Sequence, residues 1–201
     1  LVTLQEELAV RHQESVRLTS ELIALNQKLS DLASRDELTG LENRREAVRR
    51  IEEQSAISVR YNRPLTCAVV DVDFFKQFND SHGHAIGDQV LRHVAAILKS
   101  ATRAADAVFR MGGDEFLIML PDQTIEQAAA WAERCRQAVA EQRFSHQAPC
   151  LEVTVSIGLA ERSSVMATVD ALLEAADAAL YTAKREGRNV VRRAEGLVQT
   201  A

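Results

Sequence analysis

No uninterrupted apolar run in this sequence approaches the roughly 20 residues that a membrane-crossing helix needs, and no signal peptide is visible. The expectation is a cytoplasmic protein with no membrane contact in this fragment. Cysteine is equally sparse. Cys67, Cys135 and Cys150 are far apart and form no Cys-x-x-Cys pair, which speaks against a zinc site or a disulfide framework and for reduced thiols. Positive charge is not in excess either. With 24 Lys and Arg against 29 Asp and Glu, the net charge of -5 argues against a chain built to coat nucleic acid, though a local basic patch could still hold phosphates. There is no internal repeat and no low-complexity tract. The first residue is Leu1 rather than Met, as in a fragment of a longer protein. What is present is ample apolar content, 46% of 201 residues, enough for one domain with a core plus an appendage.

The appendage is legible first. Leu4, Leu8, Leu18, Leu22, Leu25, Leu29 and Leu32 follow spacings of three and four, interrupted where Arg11 and Ser15 occupy the seam. This is the period of a left-handed coiled coil. An amphipathic helix packed on its own domain is the alternative, but Glu, Gln, Arg and Ser surround the stripe and leave no second apolar face. The expectation is a parallel two-stranded stalk over residues 1–33 and a second domain over residues 34–201. In that domain a helix runs from about Arg44 to Tyr61 and stops at Asn62-Arg63-Pro64. A short buried strand spans Leu65 to Asp71, followed by a polar loop and a helix from Gly87 to about Ala101. The apolar runs Ala107-Val108-Phe109 and Phe116 to Leu120 form a hairpin, and Ile125 to Gln142 is helical with Trp131, Cys135 and Val139 inward. A strand over Glu152 to Ala160, a helix over Val169 to Arg185 and a short strand at Asn189-Val190-Val191 complete the order. The fold class is α/β (α+β), a ferredoxin-like β-α-β-β-α-β palm with a central, mostly antiparallel sheet, preceded by a long coiled-coil helix.

The hairpin turn is Gly112-Gly113-Asp114-Glu115, two glycines and two acids between apolar strands. Glycines there permit positive φ or the close approach of another molecule. Asp71-Val72-Asp73 ends the earlier apolar strand, so neighbouring strands can deliver Asp71 and Asp114 to one spot. Such hard oxygen ligands suit Mg²⁺, which takes one or two carboxylates and leaves other positions to water and phosphate oxygens. A solvated acid pair at a sheet end fits the spacing equally well. The neighbourhood favours the metal, because Asp73-Phe74-Phe75-Lys76 places backbone N–H groups and an ammonium where bound phosphates would sit. Lys184 and Arg188, four apart at a helix end, can point the same way as a phosphate clamp. By themselves they also suit a solvated face that complements the helix dipole.

Five motifs together resemble the diguanylate cyclase, or GGDEF, family over about residues 34 to 193. They are Asp36-Glu37-Leu38-Thr39-Gly40-Leu41 with Asn43-Arg44-Arg45; Asp71-Val72-Asp73-Phe74-Phe75-Lys76; Asn79-Asp80 with Gly83-His84 and Gly87-Asp88; Gly112-Gly113-Asp114-Glu115-Phe116; and Tyr181-Thr182-Ala183-Lys184 with Gly187-Arg188-Asn189. The resemblance implies a palm similar to those of nucleotidyl cyclases and an enzyme that condenses two GTP into cyclic di-GMP and two pyrophosphates. It implies Mg²⁺, with Mn²⁺ as the alternative, held by Asp71, the Val72 carbonyl and Asp114. It further implies guanine reading by Asn79 and Asp88, with His84 near the nucleotide. Phe74, Phe75 and Lys76 would surround the phosphates, Lys184 and Arg188 would grip the terminal ones, and Gly112 and Gly113 would let the nucleotide approach. Asp114 is the candidate proton acceptor and Glu115 the competitor, although strand alternation sends Glu115 to the opposite face unless the turn defeats it. Lys76 adds positive charge at the transferring group. Two subunits facing each other would each bring one GTP, so the stalk would serve as the homodimer contact. Arg103-Ala104-Ala105-Asp106 stands where the family carries its product-inhibition motif, and Arg134 is a further candidate for that site. The alternatives are a catalytically silent receptor for GTP or cyclic di-GMP, and a palm-fold nucleotidyl transferase acting on nucleic acid. Intact Asp71, Asp114, Glu115 and Lys76 speak against the first, and the acidic balance against the second.

Overall fold

A computed structural model describes residues 11–23, 34–142, 152–163 and 168–194. The chain divides into two units, residues 1–35 and 36–201. In the first, residues 11–23 are helical throughout (α1), with Leu18 and Leu22 both exposed on that helix. Leu4, Leu8, Leu25, Leu29 and Leu32 lie outside the described residues, as does Cys150.

The second unit is a six-stranded sheet clothed by helices. Its elements are β1 (Glu42–Asn43), α2 (Arg44–Tyr61), β2 (Leu65–Val72), α3 (Phe75–His82), α4 (His84–Ser100), β3 (Ala107–Gly112) and β4 (Glu115–Pro121), then α5 (Ile125–Glu141), β5 (Val155–Glu161), α6 (Val169–Arg185) and β6 (Val191–Arg193). The strand order is β1-β3-β4-β2-β5-β6. The four central strands pair antiparallel, and β1 and β6 add parallel edges. β2-α4-β3-β4-α5-β5 is the ferredoxin-like unit expected from the sequence.

All eight residues of β2 are buried because helices cover both faces of the sheet. Ala68, Val70 and Val72 join Phe116 and Ile118 under α4 and α5, while Leu65, Cys67 and Val69 join Leu117 and Met119 under α2 and α6. Asp71 follows Val69 in that alternation and so faces α6. Gly158 of β5 has no room for a side chain, since an added Cβ would lie 2.2 Å from the Ala176 carbonyl oxygen of α6. That close approach brings the end of α6 down onto the end of β2. Cys67 and Cys135 are buried free thiols, both pushed up to about 12 chiefly by burial. Among the described residues no helix is long and apolar enough to cross a membrane.

Caps account for the helix limits. The Asn43 side chain accepts from the Glu46 N–H, and Asn62 closes α2 in a left-handed conformation. A Thr124–Gln127 capping box opens α5, and the Thr168 hydroxyl accepts from the Ala171 N–H at the start of α6. Four sequence expectations are corrected. The supposed polar loop after β2 is the helix α3, and α4 begins at His84 rather than Gly87. Phe75 and Phe78, three apart and with ring centroids at 6.4 Å, give that otherwise polar segment its apolar face. β5 begins at Val155, because Thr154 spends its carbonyl and its hydroxyl on Asp73 instead of on a ladder. The last strand begins at Val191, because Arg188 and Asn189 have φ of 65° and 47°, outside any strand geometry.

Candidate active site

Asp71 sits at the C-terminal end of β2, 7% exposed, and is paired in register with Glu115 on β4. Opposed residues of an antiparallel pair share a face. Glu115 therefore stands on the same side as Asp71, not opposite, and lines a cavity of about 350 Å³ with Val69, Leu117 and Leu173. The Lys184 ammonium lies 2.7 Å from Asp71 Oδ2. Burial pushes the Asp71 carboxyl up to about 6; Lys184 pulls it down, and the charges of Asp114 and Glu115 push it up. Asp71 thus feels the repulsion of two neighbouring acids against the attraction of one ammonium.

The turn is held from behind. The Val72 N–H donates to the Asp114 carbonyl at 3.3 Å, which clamps the hairpin tip to the end of β2. Gly112 and Gly113 have φ of 138° and 55° with open space about them, so backbone conformation is what demands glycine here. Arg110, at the bulge before the turn, donates through Nε and Nη2 to the Gly113 carbonyl, at 3.1 and 2.8 Å. Its Nη1 binds both carboxylate oxygens of Asp36, at 2.9 and 3.0 Å. Asp36 also accepts from the Thr39 N–H and hydroxyl. These bonds hold its carboxyl below the usual range despite the opposing cost of burial.

Asp73 points inward and serves as a staple. Its carboxylate accepts from the Ser156 and Thr154 hydroxyls, both at 2.7 Å, and from the Asn189 N–H at 3.0 Å. Next to it Phe74 adopts φ of 56° and stays exposed, with the Arg188 guanidinium 4.3 Å from its ring centroid. Lys76 is exposed on the first turn of α3. Two phosphate expectations change. The Phe75 ring is buried in the core and leaves only its backbone for a phosphate. Lys184 and Arg188 are not one helical clamp, because α6 ends at Arg185, Arg188 lies beyond it in a left-handed conformation, and Lys184 is engaged with Asp71.

The base-reading expectation meets a specific feature. Asn79 Oδ1 is buried with no hydrogen-bond partner among the described residues. It lies against Gly87, where an added Cβ would come within 1.9 Å of it. An acceptor left this way costs about 1–3 kcal/mol until a donor arrives. Asp88, half-buried, follows Gly87 on α4, and His84 is exposed at the start of that helix.

At the other end of the sheet, Asp106 is buried and its carboxylate accepts from the Arg103 N–H at 2.8 Å and the Gln123 amide at 3.1 Å. Asp106 thereby shapes the turn that leaves the Arg103 side chain exposed. Trp131 of α5 donates to the Ala101 carbonyl at 2.9 Å, which ties that helix to the same loop. Arg134, one turn further along α5, is exposed.

Among the described residues no three His, Cys, Asp or Glu side chains converge as a ready metal cage. Two carboxylates with substrate phosphates are what Mg²⁺ takes, so the donor set of Asp71 and Asp114, already short of positive charge, fits that ion. Three residues escaped sequence reasoning. They are Asp73, which stands there only as a member of the Asp71–Lys76 motif, and Arg110 and Arg136, which have no part in it. Nothing in linear spacing announces that each reaches another segment.

The profile of the family described as diguanylate cyclase, GGDEF domain, matches residues 33–190. The response regulator PleD of Caulobacter vibrioides is 40% identical over 163 residues, covering 80% of this chain and 36% of that protein. Diguanylate cyclase DgcP of Pseudomonas aeruginosa is 38% identical over 189 residues, covering 94% of this chain and 27% of that protein. This chain thus spans only 27% to 36% of the length of these two curated relatives. Among solved structures, the coiled coil and GGDEF domain of DgcB from Caulobacter crescentus, in complex with c-di-GMP, superposes with a TM-score of 0.83 at 32% identity. That match covers 93% of this chain and 99% of the other. By its motifs, its palm and these identities, the chain belongs to the diguanylate cyclase family of GGDEF domains.

Proposed function

We propose that this chain is a Mg²⁺-dependent diguanylate cyclase, active as a dimer that joins two GTP molecules into cyclic di-GMP and releases two pyrophosphates. The observation that carries the reading is the buried Asp71 carboxylate at the end of β2, in register with Glu115, joined through the Val72 N–H to the Asp114 carbonyl of the glycine turn, and bound by the Lys184 ammonium. In each half-reaction the ribose 3'-oxygen of one GTP forms a bond to the α-phosphorus of the other. The bond from that phosphorus to the bridging oxygen breaks, pyrophosphate leaves in line, and the hydroxyl proton passes to a base. Asp71, the Val72 carbonyl and Asp114 would hold the Mg²⁺, which supplies charge neutralisation at the triphosphate and the departing pyrophosphate; Mn²⁺ is the alternative ion.

The protein groups have separable tasks. Asn79 Oδ1 and the Asp88 carboxylate accept from the guanine N1–H and exocyclic amine, and adenine, lacking that donor pair, would leave them unpaired. Lys184, which pairs with Asp71, Arg188 and the exposed Lys76 would supply the positive charge for the phosphates. Glu115 is placed to receive the proton, since it is exposed, lies cross-strand from Asp71 and is not needed as a ligand in this arrangement. Asp114 then acts as ligand first. A stalk formed by residues 1–33 would raise the effective concentration of the two half-sites. Product binding at exposed Arg103, on the turn that Asp106 holds, with Arg134 contributing, would give feedback inhibition.

The test is a product assay with GTP and Mg²⁺, resolving cyclic di-GMP and pyrophosphate by chromatography. The expected result is two pyrophosphates per cyclic product, no product from ATP, and none from Asp114→Asn. Tight GTP binding with no product in the unmodified chain would reassign it as a receptor.

A further inference from the structure

Arg136 lies on α5, outside every group given a task above. All three of its nitrogens are engaged. Nε and Nη2 grip Glu133 at 2.9 and 2.6 Å, and Nη1 donates to Asn189 Oδ1 at 2.7 Å. The side chain is only 17% exposed, so this is a held fork and not a wandering surface arginine. Asn189 passes the constraint on, because its own N–H donates to Asp73 Oδ2. Asp73 in turn is fixed by the hydroxyls of Thr154, just before β5, and Ser156, within it, and leads through Phe74 into α3, whose first turn carries Lys76.

The residue between this network and the phosphates is Arg188. It directly precedes Asn189, and the two take φ of 65° and 47° in succession. Left-handed backbone at a non-glycine costs about 1 kcal/mol or more and persists only where surrounding contacts overdetermine it. Asn tolerates it better than Arg, so the strain falls chiefly on Arg188. The contacts that hold it are the Arg188 N–H donated to the Ala183 carbonyl at 3.1 Å and the two that Asn189 makes, to Arg136 and to Asp73. Their effect is to set the Arg188 guanidinium over the Phe74 ring; among the described residues it pairs with no carboxylate. A guanidinium held over that ring keeps its N–H donors available to an anion.

We infer that Arg136 is a positioning residue for the triphosphate: through Asn189 it holds the left-handed turn that aims Arg188, and it contacts no substrate itself. The inference rests on the GTP reading of the site, and names α5 as the element that sets the stiffness of the phosphate grip.

The experiment compares the unmodified chain with Arg136→Ala, Asn189→Gly, Arg188→Ala and the Arg136→Ala/Arg188→Ala double variant. Asn189→Gly can adopt the left-handed backbone and keep the N–H to Asp73 while removing the side chain that meets Arg136. Binding of a nonhydrolysable GTP analogue with Mg²⁺ is measured by calorimetry, KM and kcat by turnover, melting by heat, and amide exchange over residues 186–190 without nucleotide. Arg136→Ala and Asn189→Gly are expected to weaken binding and raise KM roughly five- to tenfold, with kcat within about twofold, and to speed exchange in the turn. In the Arg188→Ala background, Arg136→Ala should add nothing, because its route to the phosphate is already cut. A lowered melting temperature with unchanged KM, or additive losses in the double variant, overturns the inference and leaves the cyclase reading standing. If the unmodified chain binds no GTP, that reading and this inference fall together.

Discussion

Lys184 reaches the buried end of β2 to place its ammonium 2.7 Å from Asp71 Oδ2, and even so the carboxyl titrates near 6 because burial and two acid neighbours outweigh one cation. The proton and a divalent ion therefore compete for the same oxygens. Calorimetric Mg²⁺ affinity, measured with a nonhydrolysable GTP analogue, should be flat above about pH 7 and fall by up to about tenfold per unit below about pH 6. The sign for stability is opposite to that of an ordinary paired acid. The folded carboxyl binds its proton more tightly than the unfolded one, so the contribution is full below the ordinary value of 3.8 and lost as pH rises through about 6. In metal-free melts the unmodified protein should lose stability relative to Asp71→Asn as pH rises over that window, and Mg²⁺ should offset the loss. A Mg²⁺ affinity that does not vary between about pH 5 and about pH 8 would sink the assignment of Asp71 as ligand.

The orphaned Asn79 Oδ1 makes a prediction that runs against the usual cost of mutation. Asn79→Ala removes a buried acceptor with no partner among the described residues, so the free protein should lose little stability or gain up to about 1 kcal/mol, while GTP affinity drops by about tenfold. Gly87→Ala approaches the same atom from the other side. Its Cβ would sit 1.9 Å from Oδ1 and 3.2 Å from the Phe75 ring, so the amide must swing away. Guanine selectivity should fall in both variants, read as the GTP to ATP ratio of dissociation constants. Unchanged selectivity in both would remove Asn79 from base reading.

Much of this architecture was legible in the chain because local signals and tertiary demands agree. α2 and α6 run between the limits that the pattern gives, since Asn43, Asn62 and Thr168 are caps by chemistry and by position. The antiparallel centre followed from apolar runs and one glycine turn. What stayed hidden are contacts between distant segments. Asp73 looks like a second exposed acid until the Thr154 and Ser156 hydroxyls and the Asn189 N–H are seen to satisfy it. The face of Glu115 was left open because alternation counted from Asp114 starts in a turn, whereas the ladder begins at Glu115 itself, opposite Asp71. Lys184 looked free for phosphate because spacing along α6 does not show the buried acid beneath it.

The Asp36–Arg110–Gly113 chain predicts coupling between the entry of the domain and the catalytic turn. Asp36 is the first residue of the second unit, and Arg110 ties it to the Gly113 carbonyl. Asp36→Asn should destabilise by about 1–3 kcal/mol, since it strips charge from a part-buried pair, and should lower kcat with a smaller change in KM. Because the Asp36 carboxyl is held below 3.8, its stabilisation is present above that value and lost as pH falls through the folded one. Acid unfolding of Asp36→Asn should therefore be shallower than that of the unmodified protein. An equal acid slope would show that the pair contributes nothing to the fold.

The last expectation concerns residues 1–33. Leu18 and Leu22 stand exposed on α1, and burying a leucine side chain is worth about 1.5–3 kcal/mol, which is a reason for the helix to seek a partner. If the stripe is a parallel coiled coil, Leu18→Asp with Leu22→Asp should convert the dimer to monomer in sedimentation at micromolar concentration. Each domain would keep its GTP affinity, because Asn79, Asp71 and Arg188 belong to one chain, whereas cyclic di-GMP synthesis would fall steeply and regain rate with the square of protein concentration. Product formation that stays first order in enzyme, with the stripe broken, would mean that the two half-sites meet through some other surface.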